Sequence, residues 1–263
     1  MRFLRRVTSF LHRYFYALGS TIYLFTLGLA KRRHRDFIHT IASHCGYVQT
    51  KTILPSVTVE ELTDDDTTIQ LRQIAQADGN VNLLEMMTLV KVARKHDCRR
   101  LMELGTFDGR TTLNLAANSP PDAQVVTLDL PPTDKAELPL AVNEQQYIQK
   151  AVVGLRYQNT EYEAKIVQLL GDSATFDFSP YVGTMDFVFV DASHSYEYVL
   201  SDSRIARKLL GPGGGVLFWH DYGTWEGVTR ALEELMTGDP RFRDLHQVAG
   251  TTLACLRVGA DTP

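Results

Sequence analysis

Hydrophobic positions in this chain fall into two rhythms. Short apolar runs occupy the stretch ending at Glu103 and residues 124–130, 165–170, 186–190 and 216–219, with two more near 242–248 and 251–258. Between them, apolar residues recur every three or four positions. Leu83, Leu84, Met87, Val90 and Ala93 form one such stripe, and Tyr196, Val199, Leu200, Ala206 and Leu210 another. Leu113, Leu115, Ala116 and Ala117 open a helix after the first run, and a further helix spans 225–236. The runs predict strands and the stripes predict helices. Their alternation predicts an α/β domain with a mostly parallel sheet and right-handed crossovers. Pro131-Pro132 and Gly211-Pro212-Gly213-Gly214-Gly215 punctuate the elements.

The first 60 residues do not share this alternation. Phe3, Leu4, Val7, Phe10, Leu11, Tyr14 and Leu18 keep helical spacing. Residues 14–30 carry no charge and are flanked by basic residues. Seventeen residues is the lower edge of what crosses a bilayer, and Gly19, Ser20, Thr21, Thr26 and Gly28 dilute the run. Three readings stay open for this segment: helices packed on the body or on a second subunit, attachment to a membrane surface, or a span or signal. The expected division is a helical appendage over 1–60 and a catalytic domain over 61–263. A polar stretch at 131–160, with a helix expected over 141–153, reads as a cap or substrate loop.

Charge sharpens the division. Residues 1–35 hold eight Lys/Arg and no acid, which leaves the rest of a chain of net charge −4 at −12. An acidic body argues against nucleic-acid binding, and the basic start suits an anionic surface. Cys45, Cys98 and Cys255 are scattered and odd in number, which fits a reducing, cytoplasmic setting.

The chemistry concentrates at strand ends. The first strand runs into Glu103-Leu104-Gly105-Thr106-Phe107-Asp108-Gly109-Arg110-Thr111-Thr112. A dinucleotide site needs G-x-G-x-x-G, and a phosphate loop needs Gly-Lys-Ser/Thr; neither is present. The acid two residues before the first glycine would repel a pyrophosphate and suits a ligand with ammonium or sulfonium groups. Asp129, 26 residues on and at the next strand end, can accept from ribose hydroxyls. Gly171, Asp172 and Ser173 follow the third strand.

This succession resembles the class I S-adenosylmethionine-dependent methyltransferases. The resemblance spans roughly 80–258 and implies a Rossmann-like, doubly wound, seven-stranded sheet with its last strand antiparallel. It implies a cofactor site at Glu103, Gly105, Thr106, Phe107, Asp108, Gly109, Thr111, Thr112, Asp129, Gly171, Asp172, Ser173 and Asp191. The run Asp191-Ala192-Ser193-His194-Ser195-Tyr196-Glu197, followed by His220-Asp221, is similar to the branch that includes metal-dependent sugar O-methyltransferases. Asp191, His194 and Asp221 are then the catalytic candidates, with His194 as general base. Asp191, His220 and Asp221 are the metal-ligand candidates. Those relatives carry Glu where this chain has His220, which leaves magnesium, manganese, zinc or no metal open. The acceptor class expected is a hydroxyl of a small molecule or sugar. Contact of residues 1–35 with a membrane and homo-oligomerisation are further expectations. A nicotinamide-dependent oxidoreductase and a non-catalytic, membrane-associated module are the alternatives.

Overall fold

The computed structural model describes residues 2–31, 34, 35, 37, 38, 41, 52–63, 66–77, 79–131, 136–141, 144 and 152–260. The chain divides into two compact units, 1–50 and 51–263.

In the first unit, helix α1 (Arg2–Leu24) is longer than the apolar stripe predicts. It stops where the Thr26 hydroxyl donates to the Ile22 carbonyl at 2.6 Å. A 3-10 turn over Leu27–Ala30 follows. The uncharged run 14–30 is therefore split between two elements. Among the described residues, no helix is long and apolar enough to cross a membrane.

The second unit is built on one sheet. Its strands are β1 (Ser56–Val57), β2 (Arg100–Leu104), β3 (Gln124–Asp129), β4 (Ile166–Leu170), β5 (Phe187–Val190), β6 (Gly215–Trp219), β7 (His246–Val248) and β8 (Ala254–Val258). Their order is β1-β7-β8-β6-β5-β2-β3-β4. β8 runs antiparallel to β6 and β7, and the remaining pairs are parallel. Among the described residues the sheet thus has eight strands rather than the expected seven. The extra one, β1, is two residues long, too short for any periodicity to register. It is held by Gln247 N–H on the Pro55 carbonyl (2.8 Å) and Ala249 N–H on the Val57 carbonyl (2.9 Å).

Helices α2 (Val59–Leu62), α3 (Leu83–Lys95), α4 (Arg110–Asn118), α5 (Tyr196–Leu209) and α6 (Glu226–Gly238) complete the unit. Successive strand residues point to opposite faces, and both faces are apolar. Met102, Leu104, Val188, Val190, Leu217 and Trp219 pack with Val199, Ala206 and Leu209 of α5 and Leu232 of α6. Leu101, Val125, Phe187, Phe189 and Phe218 pack with Met86, Leu89 and Ala93 of α3 and Leu115 of α4. Most of the helix expected over 141–153 lies outside the described residues.

The chain leaves β2 toward β3 on one side, and β5 returns to pair with β2 on the other. Such a reversal of strand order opens a crevice at the carboxyl ends of the strands.

Candidate active site

The turn after β2 is shaped by a close approach of two backbones. Gly105 has φ +101, and a Cβ there would lie 1.9 Å from the Asp191 carbonyl oxygen. Gly105 N–H donates to Leu128 O at 2.8 Å, and Asp191 N–H donates to Leu104 O at 2.8 Å. The turn is thereby stitched to the ends of both neighbouring strands. Phe107 also has positive φ, and its N–H donates to Asp129 Oδ2 at 2.6 Å.

Several of the motif residues hold the turn itself. Asp108 accepts from Arg110 N–H (3.0 Å), Asn80 Nδ2 (3.2 Å) and Arg156 Nε (2.7 Å). Gly109 has φ +83, and a Cβ there would strike Tyr157 and Gly154 of a covering loop. That loop is tied down by Gly154 N–H on Phe107 O and Arg156 N–H on Asp108 O. Thr111 and Thr112 are buried in the first turn of α4. Glu103 is 1% exposed, and its Oε2 accepts from Thr112 Oγ1 and from Thr127 Oγ1 (2.7 Å). Burial drives the Glu103 carboxyl up to about 8 against those two hydrogen bonds, and the charges of Asp191 and Asp129 push the same way. Thr106 Oγ1 lies 2.7 Å from Thr127 Oγ1 and accepts from Gln168 Nε2.

After β4, Gly171 N–H donates to the Asp129 carbonyl at 2.9 Å. Asp172 accepts from Ala174 N–H (2.8 Å), Glu137 N–H (2.7 Å) and the Tyr198 hydroxyl (2.5 Å). Ser173 follows it, partly buried. This corner joins the segment 136–141 to α5.

The residues after β5 and β6 form one network. His194 Nε2 lies 2.8 Å from Asp221 Oδ2. Its Nδ1 lies 2.9 Å from Glu144 Oε1, and the same carboxylate accepts the His194 N–H. Trp225 stacks on the imidazole at 4.3 Å between ring centres. His220 Nδ1 lies 3.1 Å from Asp191 Oδ1 and 3.2 Å from Asp221 Oδ2, while its Nε2 faces Glu85 Oε2 at 3.2 Å. Asp221 holds a left-handed backbone, φ 66, and Thr224 Oγ1 donates to its Oδ1 at 3.0 Å. A side chain at such φ is strained, and strain of this kind gathers at functional sites.

Electrostatics follow from this packing. Burial alone would lower the His194 pKa, yet Asp221 and Glu144 push it up to about 10. His220 is likewise held well above its ordinary value, against burial, by Asp221 and Asp191. Burial would raise Glu85, but His220 and the Thr252 and Asn82 N–H groups bring it down to about 2. Four carboxylates face two imidazoles, so the cluster keeps an excess of negative charge even with both rings protonated.

The expected residues Asp191, His194, His220 and Asp221 are thus in direct contact. One ligand atom each from Asp191, His194 and Asp221 lie within 4.8 Å of one another, a spacing that a metal ion can bridge. His194, expected as a base, belongs to that trio, and His220 wedges its Nδ1 between the two aspartates. The sequence reading missed Glu85, Glu144 and Trp225. Glu85 stands in an Asn-x-x-Glu capping box at the start of α3, accepting Asn82 N–H while Asn82 accepts Glu85 N–H. The capping pattern accounts for the acid so well that no second role is suggested.

Residues 102–222 match the family model described as a methyltransferase domain. That segment reads as a methyltransferase domain. The matched segment starts within β2 and ends just after Asp221, so it contains the glycine turn and most of the cluster. Solved structures share the fold. The O-methyltransferase TomG from Streptomyces achromogenes, in complex with S-adenosylmethionine, is 20% identical with a TM-score of 0.50; the alignment covers 71% of this chain and 92% of that one. Cofactor-bound Rv0187 from MTB is 20% identical at a TM-score of 0.50, covering 72% and 84%. The methyltransferase PaMTH1 from Podospora anserina, bound to SAH, is 18% identical at 0.51, covering 69% and 80%. At such identities the likeness is one of fold. No curated protein matches the sequence. The methyltransferase domain displaces the oxidoreductase alternative.

Proposed function

We propose that the chain transfers a methyl group from S-adenosylmethionine to a hydroxyl of a small molecule, with sugars among the acceptors. The observation that carries this reading is the Gly105 turn, pressed against the Asp191 backbone at the strand-order reversal and flanked by Asp129. Backbone groups there approach a ligand closely, and carboxylates on both sides suit a sulfonium and a ribose. In this reading the cofactor lies over 105–109, with Asp129 toward its ribose and Asp172-Ser173 toward its base. Glu103, being buried, acts from beneath the turn by fixing Thr112 and Thr127.

His194 is the proposed base. Between two carboxylates it keeps its proton, so it accepts another group's proton only after one partner has left. An acceptor hydroxyl that takes the place of Asp221 at Nε2 would leave Glu144 on Nδ1. That is the arrangement of a general base held by a carboxylate. Glu144 is then a positioning residue, and the Trp225 ring fixes the imidazole plane. Asp191, His194 and Asp221 offer mixed oxygen and nitrogen donors, which suits manganese or zinc better than magnesium; a cation there would occupy His194 Nε2 and so stand in place of the base rather than beside it. A divalent cation held there would lower the pKa of a bound hydroxyl. Most of the acceleration would come from orienting two bound reactants.

Isothermal titration of the folded chain with S-adenosylmethionine and its demethylated product tests the reading. Absence of heat for both ligands would end it. Label transfer from the methyl donor to a panel of sugars and phenols would name the acceptor class.

A further inference from the structure

The N-terminal helix carries an apolar face that is not buried. Val7, Leu11, Tyr14, Leu18 and Ile22 recur at spacings of three and four along α1, and Phe10 and Phe15 flank this stripe. All seven are exposed, Phe10 at 67%, Phe15 at 63% and Ile22 at 56%. Ser9, His12, Arg13, Tyr16 and Ser20 fall on the opposite side of the helix. Beyond the helix, Phe25, Leu27 and Leu29 are exposed too. Exposed apolar area of this extent marks an interaction surface.

Charge selects among occupants. The segment 1–35 holds eight Lys/Arg, and Asp36 is the first acid in the chain. A second copy of the same helix would set these cations against one another, with no acid on the segment to pair them. A nucleic acid would meet the charges and leave the apolar stripe in water. A bilayer with anionic headgroups answers both faces at once: acyl chains for the stripe, headgroups for the cations. The geometry favours lying on the surface over crossing it. α1 ends at Leu24, the chain turns at Phe25-Thr26, and no described helix is apolar enough to span. Tyr14, Tyr16 and Tyr23, each with a ring and a hydroxyl, suit the level of the headgroups.

We propose that residues 2–30 dock the chain on an anionic membrane surface, with α1 lying in the plane of the interface. Its apolar stripe enters the lipid to a depth of about 5–10 Å. This inference does not depend on the methyl-transfer reading, because its assay reads lipid and not turnover.

The test is flotation of the full chain with vesicles of phosphatidylcholine alone, or of phosphatidylcholine mixed with phosphatidylglycerol. Binding to the mixed vesicles should exceed binding to the neutral ones by roughly tenfold or more, and added salt should weaken it. Leu11→Glu with Leu18→Glu puts two carboxylates in the stripe and should reduce binding at least tenfold. Arg13→Gln should reduce it about fivefold. The thermal transition of the second unit, followed in each variant, checks that the body still folds. No flotation with the mixed vesicles would overturn the proposal, as would equal flotation of the double variant. Lipid-free dimerisation that the double variant abolishes, without vesicle binding by the parent chain, would also overturn it and assign the stripe to a second copy.

Discussion

Gly105→Ala is the sharpest perturbation the site offers. Two effects add. At φ +101 the backbone is in a region that favours glycine, which costs an alanine about 1–2 kcal/mol. The new Cβ would also lie 1.9 Å from Asp191 O and 2.5 Å from its carbonyl carbon. Both are backbone atoms, so no rotamer change relieves the overlap. Relief requires the ends of β2 and β5 to part where the Asp191 N–H bond to Leu104 O joins them. The combined loss falls at the upper end of single-substitution effects, about 3–5 kcal/mol. For a unit of this size that is a drop of about 6–20 °C in Tm. A mutated turn would also hold the cofactor poorly, so its affinity should fall by roughly a hundredfold or more in a chain that remains folded at low temperature. Gly213→Ala is the control, because a Cβ there meets nothing within 4 Å. Calorimetric melting gives the first quantity and isothermal titration with S-adenosylmethionine the second. If Gly105→Ala melts like Gly213→Ala and binds cofactor like the parent, the close approach is not what shapes the site.

Other outcomes follow from the same geometry. His194→Ala should lower kcat by roughly a hundredfold to ten-thousandfold while leaving cofactor affinity near the parent value; equal turnover would remove His194 from the mechanism. Glu144→Gln should lower kcat less, and should move the pH–rate profile, because one of the two carboxylates that hold the His194 proton is gone. Asp129→Ala removes the acceptor of the Phe107 N–H and should weaken cofactor binding by about tenfold to a hundredfold, read by titration. Stability should depend on alkaline pH: His194 rises from its ordinary 6.5 to about 10 in the fold, so its contribution is complete below about 6.5 and is lost as pH climbs toward 10. Urea unfolding across that window checks the sign, and a stability that rises from pH 7 to 10 would contradict it.

The strand ends were legible because each rests on a local signal. An apolar run that meets Gly, Asp or His stops, and Gly105, Asp129, Gly171, Asp191 and His220 mark those ends. β1 was not legible, since two residues carry no period and their partner β7 lies far along the chain. Contacts across long separations were hidden for the same reason. Nothing near Glu144 announces that its carboxylate would hold both the ring and the backbone N–H of His194. Glu85 is the more instructive case. Its Oε2 completes the cap at Asn82 and faces His220, and its Oε1 accepts from Thr252 N–H and Oγ1. One side chain therefore ties the start of α3, the turn before β8 and the end of β6 to the histidine–carboxylate cluster. A capping glutamate on a surface helix stays solvated, whereas this one is 1% exposed. Burial of a carboxylate is tolerated only where partners satisfy it, and here the partners include the imidazole wedged between Asp191 and Asp221. The local cap and the distant histidine thus depend on each other: removing Glu85 would leave the His220 ring without its Nε2 partner and the Asn82 cap half-made.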